Sequence, residues 1–133
     1  MKKAEPRWIV DRLVLVAHVR LLSEHGGAEG LRDPGLLQSA LARPKQNYAY
    51  GSPDIIELAA LYTSGIVRNH PFVDGNKRTG FAIGIAFLEL NGCVFQATEE
   101  EGTQAVLALA AGDLDETGYA EWLRANTKRA RRT

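Results

Sequence analysis

Apolar residues recur at helical spacing along the first half of the chain and predict three amphipathic helices. The first stops at the glycine pair 26–27, the second opens at residues 33–34 (Asp-Pro), and the third opens at residues 52–54 (Ser-Pro-Asp). The third ends near Asn69, because His70 precedes a proline and resists the α conformation. The predicted apolar faces are Ile9, Leu13, Val16, Ala17 and Leu21; Leu36, Leu37, Ala40 and Leu41; and Ile55, Leu58, Ala59, Tyr62 and Ile66.

The stretch from residue 81 to residue 90 is apolar on nearly every side, which predicts a helix in the middle of the protein. Residues 76–78 form its first turn. A short extended segment follows at 93–97, and a capping box of Thr98 and Glu101 opens the next helix. The apolar residues of the last two helices are Val106, Leu109 and Ala110, and Tyr119, Trp122 and Leu123.

These elements predict an all-α fold, a compact bundle of about six helices around the apolar helix 81–90. The 133 residues are expected to form a single domain, 1–133. Residues 46–50 follow an Arg-Pro pair and are expected to form a small flap or hairpin. The basic segment 125–133 is expected to be a frayed tail.

Composition narrows the function classes. Sixteen basic and sixteen acidic residues cancel, so net charge gives no support for general nucleic-acid or membrane binding. A lone cysteine, Cys93, excludes an internal disulfide and fits a reducing cytosol. No signal peptide is visible because Asp11 and Arg12 interrupt the first apolar stretch, and the longest apolar run is too short to cross a bilayer. We expect a cytoplasmic protein with no direct nucleic-acid partner.

Residues 70–80 read His-Pro-Phe-Val-Asp-Gly-Asn-Lys-Arg-Thr-Gly and carry most of the chemistry in the chain. Phosphoryl transfer requires a base, a carboxylate that holds a metal, backbone amides and positive charge, and this string contains each of them. The alternative is a polar turn between helices with a capping aspartate. Because all of these groups occur together within residues 70–80, a phosphate site is favoured over a simple turn.

Each polar residue of the string has a predicted role. His70 is the predicted general base, and Asp74 is the predicted Mg²⁺ ligand. The first turn of the central helix would bind and neutralise phosphate, because free N–H groups and two cations meet there. The predicted phosphate-binding residues are Gly75, Asn76, Lys77 and Arg78. Phe72 is expected to anchor the loop by burying its ring, and His18 is expected to be structural, on a helix flank.

This string resembles the Fic/Doc family, whose Fic pattern is His-Pro-Phe, two residues, Gly-Asn-Gly-Arg, two residues and Arg. Lys77 stands where Fic proteins have the second glycine, as in the Doc (death on curing) branch, and Phe81 stands where they have the second arginine. Both differences favour the Doc branch. Further Doc-like stretches are residues 30–37, 40–44 and 122–124. The resemblance spans roughly residues 8–124.

The resemblance to Doc implies a toxin that transfers the terminal phosphate of ATP to a threonine of elongation factor Tu and so stops protein synthesis. Fic proteins instead transfer the nucleoside monophosphate, and the spacing of the motif fits both reactions. Lys77 and Phe81 favour the kinase. A third possibility is an inactive fold that only binds a partner, but the intact motif residues argue against it, namely His70, Asp74, Asn76 and Arg78.

The resemblance also implies how such a toxin would be controlled. Many Fic proteins carry an inhibitory Ser/Thr-x-x-x-Glu-Gly/Asn helix, and this chain has no such string. In residues 98–102 the glutamate comes one position too early, which suits a helix cap instead. A separate antitoxin of the Phd type is therefore the expected partner, with a segment that folds onto a groove of this protein.

Overall fold

A computed structural model of the chain, which describes residues 5–130, consists of six helices and two short strands. The helices are α1 (Asp11–His25), α2 (Pro34–Tyr50), α3 (Ile55–Asn69), α4 (Asn76–Leu90), α5 (Glu99–Ala111) and α6 (Glu116–Ala125). The strands are β1 (Cys93–Phe95) and β2 (Thr127–Arg129). The predicted all-α fold of about six helices is confirmed. None of the described helices is long and apolar enough to cross a membrane.

Two adjacent helices, α3 and α4, form the centre of the bundle. α4 lies there as predicted, but α3 is buried on all sides from Leu58 to Val67 rather than on one face. Small residues allow this close packing: a Cβ atom at Gly84 of α4 would overlap the Thr63 hydroxyl of α3. A Cβ at Gly65 would lie 3.3 Å from Cβ of Ala40 in α2. The prediction that α3 buries a single apolar face was therefore too narrow, because the helix is buried on every side.

Helix α2 corrects the prediction of a flap at residues 46–50. The helix continues through Pro44 and ends only at Tyr50. A proline inside a helix costs about 3 kcal/mol. Packing offsets this cost, because Pro44 is buried and the ring of Tyr48 packs edge-on against Trp8 with 5.5 Å between the centroids.

Helix α1 also differs from its prediction. Its buried residues are Val14 and His18, whereas Leu13 and Val16 of the predicted face are 39% and 56% exposed. The many apolar residues of this helix leave its hydrophobic direction weakly defined in the sequence. The contacts that α1 makes with α4 and with the loop before α4 decide which face is buried.

The extended segment predicted after α4 is β1, and its partner was not predicted. β2 pairs with it antiparallel, with Cys93 opposite Arg129 and Phe95 opposite Thr127. The structure departs here from the frayed tail expected at residues 125–133, because backbone pairing holds residues 127–129. Residues 131–133 lie outside the described part of the chain.

Candidate functional site

The loop that joins α3 to α4 carries the motif and begins with an unusual backbone conformation. His70 caps α3 with φ 52° and ψ 53°, and its amide donates to the Ile66 carbonyl at 3.1 Å. It is the one residue other than glycine with positive φ in the part of the chain that the structure describes. The side chain is exposed. Left-handed backbone is costly for a residue with a Cβ atom, so neighbouring contacts must hold it.

Those contacts come from residues 27–33, the segment between α1 and α2. It runs antiparallel to the motif: the amides of Arg32 and Asp33 donate to the Pro71 carbonyl at 2.7 and 2.9 Å, and Val73 N–H donates to the Gly30 carbonyl at 3.0 Å. Leu31 forms a β-bridge with Phe72. An extended segment therefore flanks the motif, and it comes from residues 30–33.

Below the loop, buried rings fix its position. Phe72 is buried, as predicted, and stacks on His18 with 3.7 Å between the ring centroids and 9° between the planes. Nε2 of His18 lies 2.7 Å from the Asp74 carbonyl oxygen, which makes the protonated Nε2 tautomer the one that fits. His18 is structural as predicted. It supports the loop from beneath, however, and is not on a flank.

Asn76 is engaged with the loop rather than free. Its side-chain oxygen accepts from Phe72 N–H at 2.9 Å, and its amide nitrogen donates to the Phe72 carbonyl at 3.0 Å. The residue is 3% exposed. Its side chain therefore closes the Phe72–Asn76 turn, and the expected contact of Asn76 with phosphate stays a prediction.

Asp74 is exposed, and backbone amides orient its carboxylate. Oδ1 accepts from Gly75 N–H at 2.8 Å, and Oδ2 accepts from Ala28 N–H at 3.2 Å. These hydrogen bonds, that of Gly75 first, lower the pKa of Asp74 below its ordinary value, and the charges of His18 and His70 contribute less. The carboxylate is ionised at neutral pH. Within residues 5–130 no cluster of three potential metal ligands forms, so any ion held here would take most of its ligands from water or substrate.

The N-terminus of α4 is left uncapped. No side chain caps the helix, and Gly75 precedes it with φ 78°. The amides of residues 76–78 donate to no acceptor within residues 5–130, whereas Gly75 N–H is already bonded to Asp74. Lys77 and Arg78 are exposed and form no side-chain hydrogen bond or ion pair with any described residue. Three free amides and two free cations meet at this helix end, an arrangement that suits an anion.

An apolar groove of about 590 Å³ opens beside this helix end, between α1, α4 and α5. Its apolar wall includes Leu21, Phe81, Ile85, Val106 and Leu107. Lys77 and Arg78 line the same groove as two acidic residues of α5, Glu99 and Glu100. The Phe81 ring packs on Phe95 with 5.7 Å between the centroids, so position 81 presents an apolar surface.

The fold and this site belong to a known class of proteins. The sequence profile of the Fic/DOC family matches residues 8–88, and the chain belongs to this family. It is 31% identical over 120 residues to "Protein kinase doc" of Escherichia phage P1, which covers 89% of this chain and 94% of the relative. It is also 46% identical over 70 residues to "Toxin Doc" of Mycolicibacterium smegmatis, about half of each chain (50% and 53%). The resemblance read from the motif is confirmed.

Proposed function

We propose that this protein is the toxin of a toxin–antitoxin module and transfers phosphate from ATP to a threonine hydroxyl of elongation factor Tu. The names of the two relatives, a protein kinase and a toxin, support this assignment. The observation that carries it is the uncapped start of α4, where amides and two cations have no partner within residues 5–130, next to an exposed histidine and an exposed ionised carboxylate.

In the proposed reaction His70 acts as general base. It removes the proton from the target hydroxyl, the oxygen of that hydroxyl bonds to the terminal phosphorus, and the bond from that phosphorus to ADP breaks. The amides of residues 76–78 bind the phosphate oxygens, and Lys77 and Arg78 balance the polyphosphate charge. Gly75 permits close backbone approach, and Asn76 maintains the shape of the loop.

Asp74 would hold Mg²⁺ in this scheme. Magnesium is bound in nucleotide enzymes by one or two carboxylates together with waters and phosphate oxygens, which fits a single exposed carboxylate with free lone pairs. When bound, the ion neutralises developing charge on the phosphate. The two amides that donate to Asp74 keep it ionised and aimed beside the start of α4.

Adenylyl transfer is the competing reaction. The packing of Phe81 supports phosphate transfer over it, because the residue that replaces the second Fic arginine is tied into an aromatic contact and adds no cation to the site. The site otherwise holds the groups that both reactions require.

A Phd-like antitoxin is the proposed partner, and the groove between α1, α4 and α5 is its proposed docking surface. The groove has an apolar wall bordered by charges of both signs, which suits an amphipathic helix from a partner. It also borders Lys77 and Arg78, so an occupant would cover the phosphate-binding residues.

Intact-mass spectrometry of elongation factor Tu after incubation with the protein, ATP and Mg²⁺ tests the reaction. We expect one added phosphate, and a reduction on the order of 10²-fold for Asp74→Asn, which preserves shape but removes the charge that holds the metal. Excess chelator should reduce the wild-type rate to the level of the variant. An adenylyl adduct would restore the Fic reaction, and full activity in chelator would remove the metal role of Asp74.

A further inference from the structure

The side chain of Arg32 contacts the backbone of the motif at its first residue. Nε donates to the His70 carbonyl at 2.8 Å, and Nη2 donates to the Asn69 carbonyl at 3.1 Å. We propose that Arg32 is a positioning residue, which holds the His70 backbone in the left-handed conformation that aims its ring at the substrate. This inference rests on the proposed role of His70 as general base.

The two carbonyls that Arg32 binds are groups that a helix end leaves without partners. No amide within the helix donates to the last carbonyls of α3, and these carbonyls carry partial negative charge from the helix dipole. A guanidinium satisfies the carbonyls and balances their charge, because its rigid fork donates to two oxygens at once and its positive charge is permanent. Arg32 therefore stabilises a backbone that His70 would otherwise adopt only at a cost.

The ring of His70 depends on this backbone for its orientation. Many catalytic histidines are oriented by a hydrogen bond from the second ring nitrogen to a carboxylate or carbonyl. Within residues 5–130 the His70 ring makes no such hydrogen bond, and it is exposed. The direction of its Cα–Cβ bond, which φ and ψ determine, is thus the main constraint on where the imidazole lies.

The pairing of residues 30–33 with the motif does not require the Arg32 side chain. It depends on backbone groups, namely the amides of Arg32 and Asp33 on the Pro71 carbonyl and Val73 N–H on the Gly30 carbonyl. Truncation of Arg32 should therefore leave the extended segment in place and remove only the clamp on Asn69 and His70. This separation makes the proposal testable.

Three variants isolate the clamp. Arg32→Ala removes both donors, and Arg32→Lys retains the charge but not the fork. Arg12→Ala is the matched control, since it also removes an exposed arginine but lies near the start of α1, far along the helix from residues 27–33. In single-turnover phosphate transfer we expect Arg32→Ala to lose about 10- to 100-fold in rate with ATP affinity within about twofold of wild type. Arg32→Lys should be intermediate and Arg12→Ala unchanged.

A double-mutant cycle asks whether Arg32 acts through His70. If it does, Arg32→Ala should have almost no further effect in the His70→Ala background, because the base that it positions is gone. A purely structural contribution would reduce the residual rate by the same factor in both backgrounds. Equal factors, or a loss carried entirely by ATP affinity, would overturn the proposal.

Hydrogen exchange supplies a readout that does not need activity. The His70 amide donates to Ile66 at the end of α3, and its exchange reports the local backbone. We expect exchange at least about tenfold faster in Arg32→Ala and unchanged in Arg12→Ala. If the His70 amide exchanges at the same rate in Arg32→Ala as in wild type, the proposed clamp is refuted even if the variant still transfers phosphate. If Arg32→Ala speeds the exchange of the His70 amide but the wild-type protein modifies no target, the proposed function is refuted and the contact is not.

Discussion

Two polar regions of this molecule contain arginines and carboxylates, but only one of them pairs its charges. Where α6 meets α2 and α3, Arg43 forms a two-pronged contact with Glu116 at 2.7 and 2.9 Å. Arg124 binds Asp54 at 2.7 Å, and Asp54 also caps α3. Every one of these ions has a protein partner, so this region is explained by stability alone.

The motif end is arranged in the opposite way. Here the backbone is heavily bonded, whereas Lys77 and Arg78 lack partners among the described residues and α4 begins without a cap. Cations at a helix N-terminus oppose the dipole and cost stability. Charge that is left unpaired on a rigid backbone is better explained by a ligand than by the fold. The comparison predicts that substitutions at the two ends affect different properties.

The largest effect is expected on catalysis, from His70→Ala. Loss of a general base costs about 10²–10⁴-fold in rate. The melting temperature should change little, because the side chain is exposed and makes no hydrogen bond within residues 5–130. Rates come from quantitative mass spectrometry of the modified target. His70→Asn is the control for backbone strain, since asparagine tolerates left-handed φ. Equal transfer by wild type and both variants would show that His70 is not the base.

Asn76→Ala should affect stability and catalysis together, because it strips both partners from the buried Phe72 backbone. We expect a loss of about 1–3 kcal/mol in the free energy of unfolding. Asn47→Ala is the matched control, since its amide is exposed and donates to the Arg43 carbonyl along its own helix. Urea denaturation measures both. A stable Asn76→Ala protein with normal transfer would mean that the Phe72–Asn76 turn does not shape the site.

The smallest effect is expected from Arg43→Ala, at about 1 kcal/mol of stability with transfer unchanged, because the pair is partly exposed. Burial is the largest single influence on Glu116 and raises its pKa, but the hydrogen bond and the charge of Arg43, together with its other polar neighbours, outweigh burial, so the pKa is lowered. A lowered folded-state pKa stabilises the protein above the unfolded value, and that contribution is lost as pH falls through the folded value.

Urea denaturation at neutral pH and at several acidic values measures this difference. The stability gap between wild type and Arg43→Ala should be full at neutral pH and should shrink below about pH 4. A gap that is constant over this range would mean that packing by the Arg43 side chain, and not its charge, accounts for the difference.

Much of the molecule could be predicted because the signals lie close together in sequence. The proline after His70 ends α3, the apolar run 81–90 forms most of α4, and Thr98 with Glu101 caps α5. The motif brings a histidine, a carboxylate and two cations together within nine positions, so their proximity needs no long-range contact. Turn chemistry, caps and periodicity are local properties of the chain.

What the sequence by itself determined is therefore the number and type of the helices, the fold class and the composition of the site. The tertiary structure decided which groups surround that site. Arg32 reaches His70 across 38 positions, and His18 supports the Asp74 carbonyl across 56. It also decided that α2 runs through Pro44 and that Thr127–Arg129 pairs with β1. These contacts depend on how distant segments pack, and packing outweighs the local preferences of single residues when the two conflict.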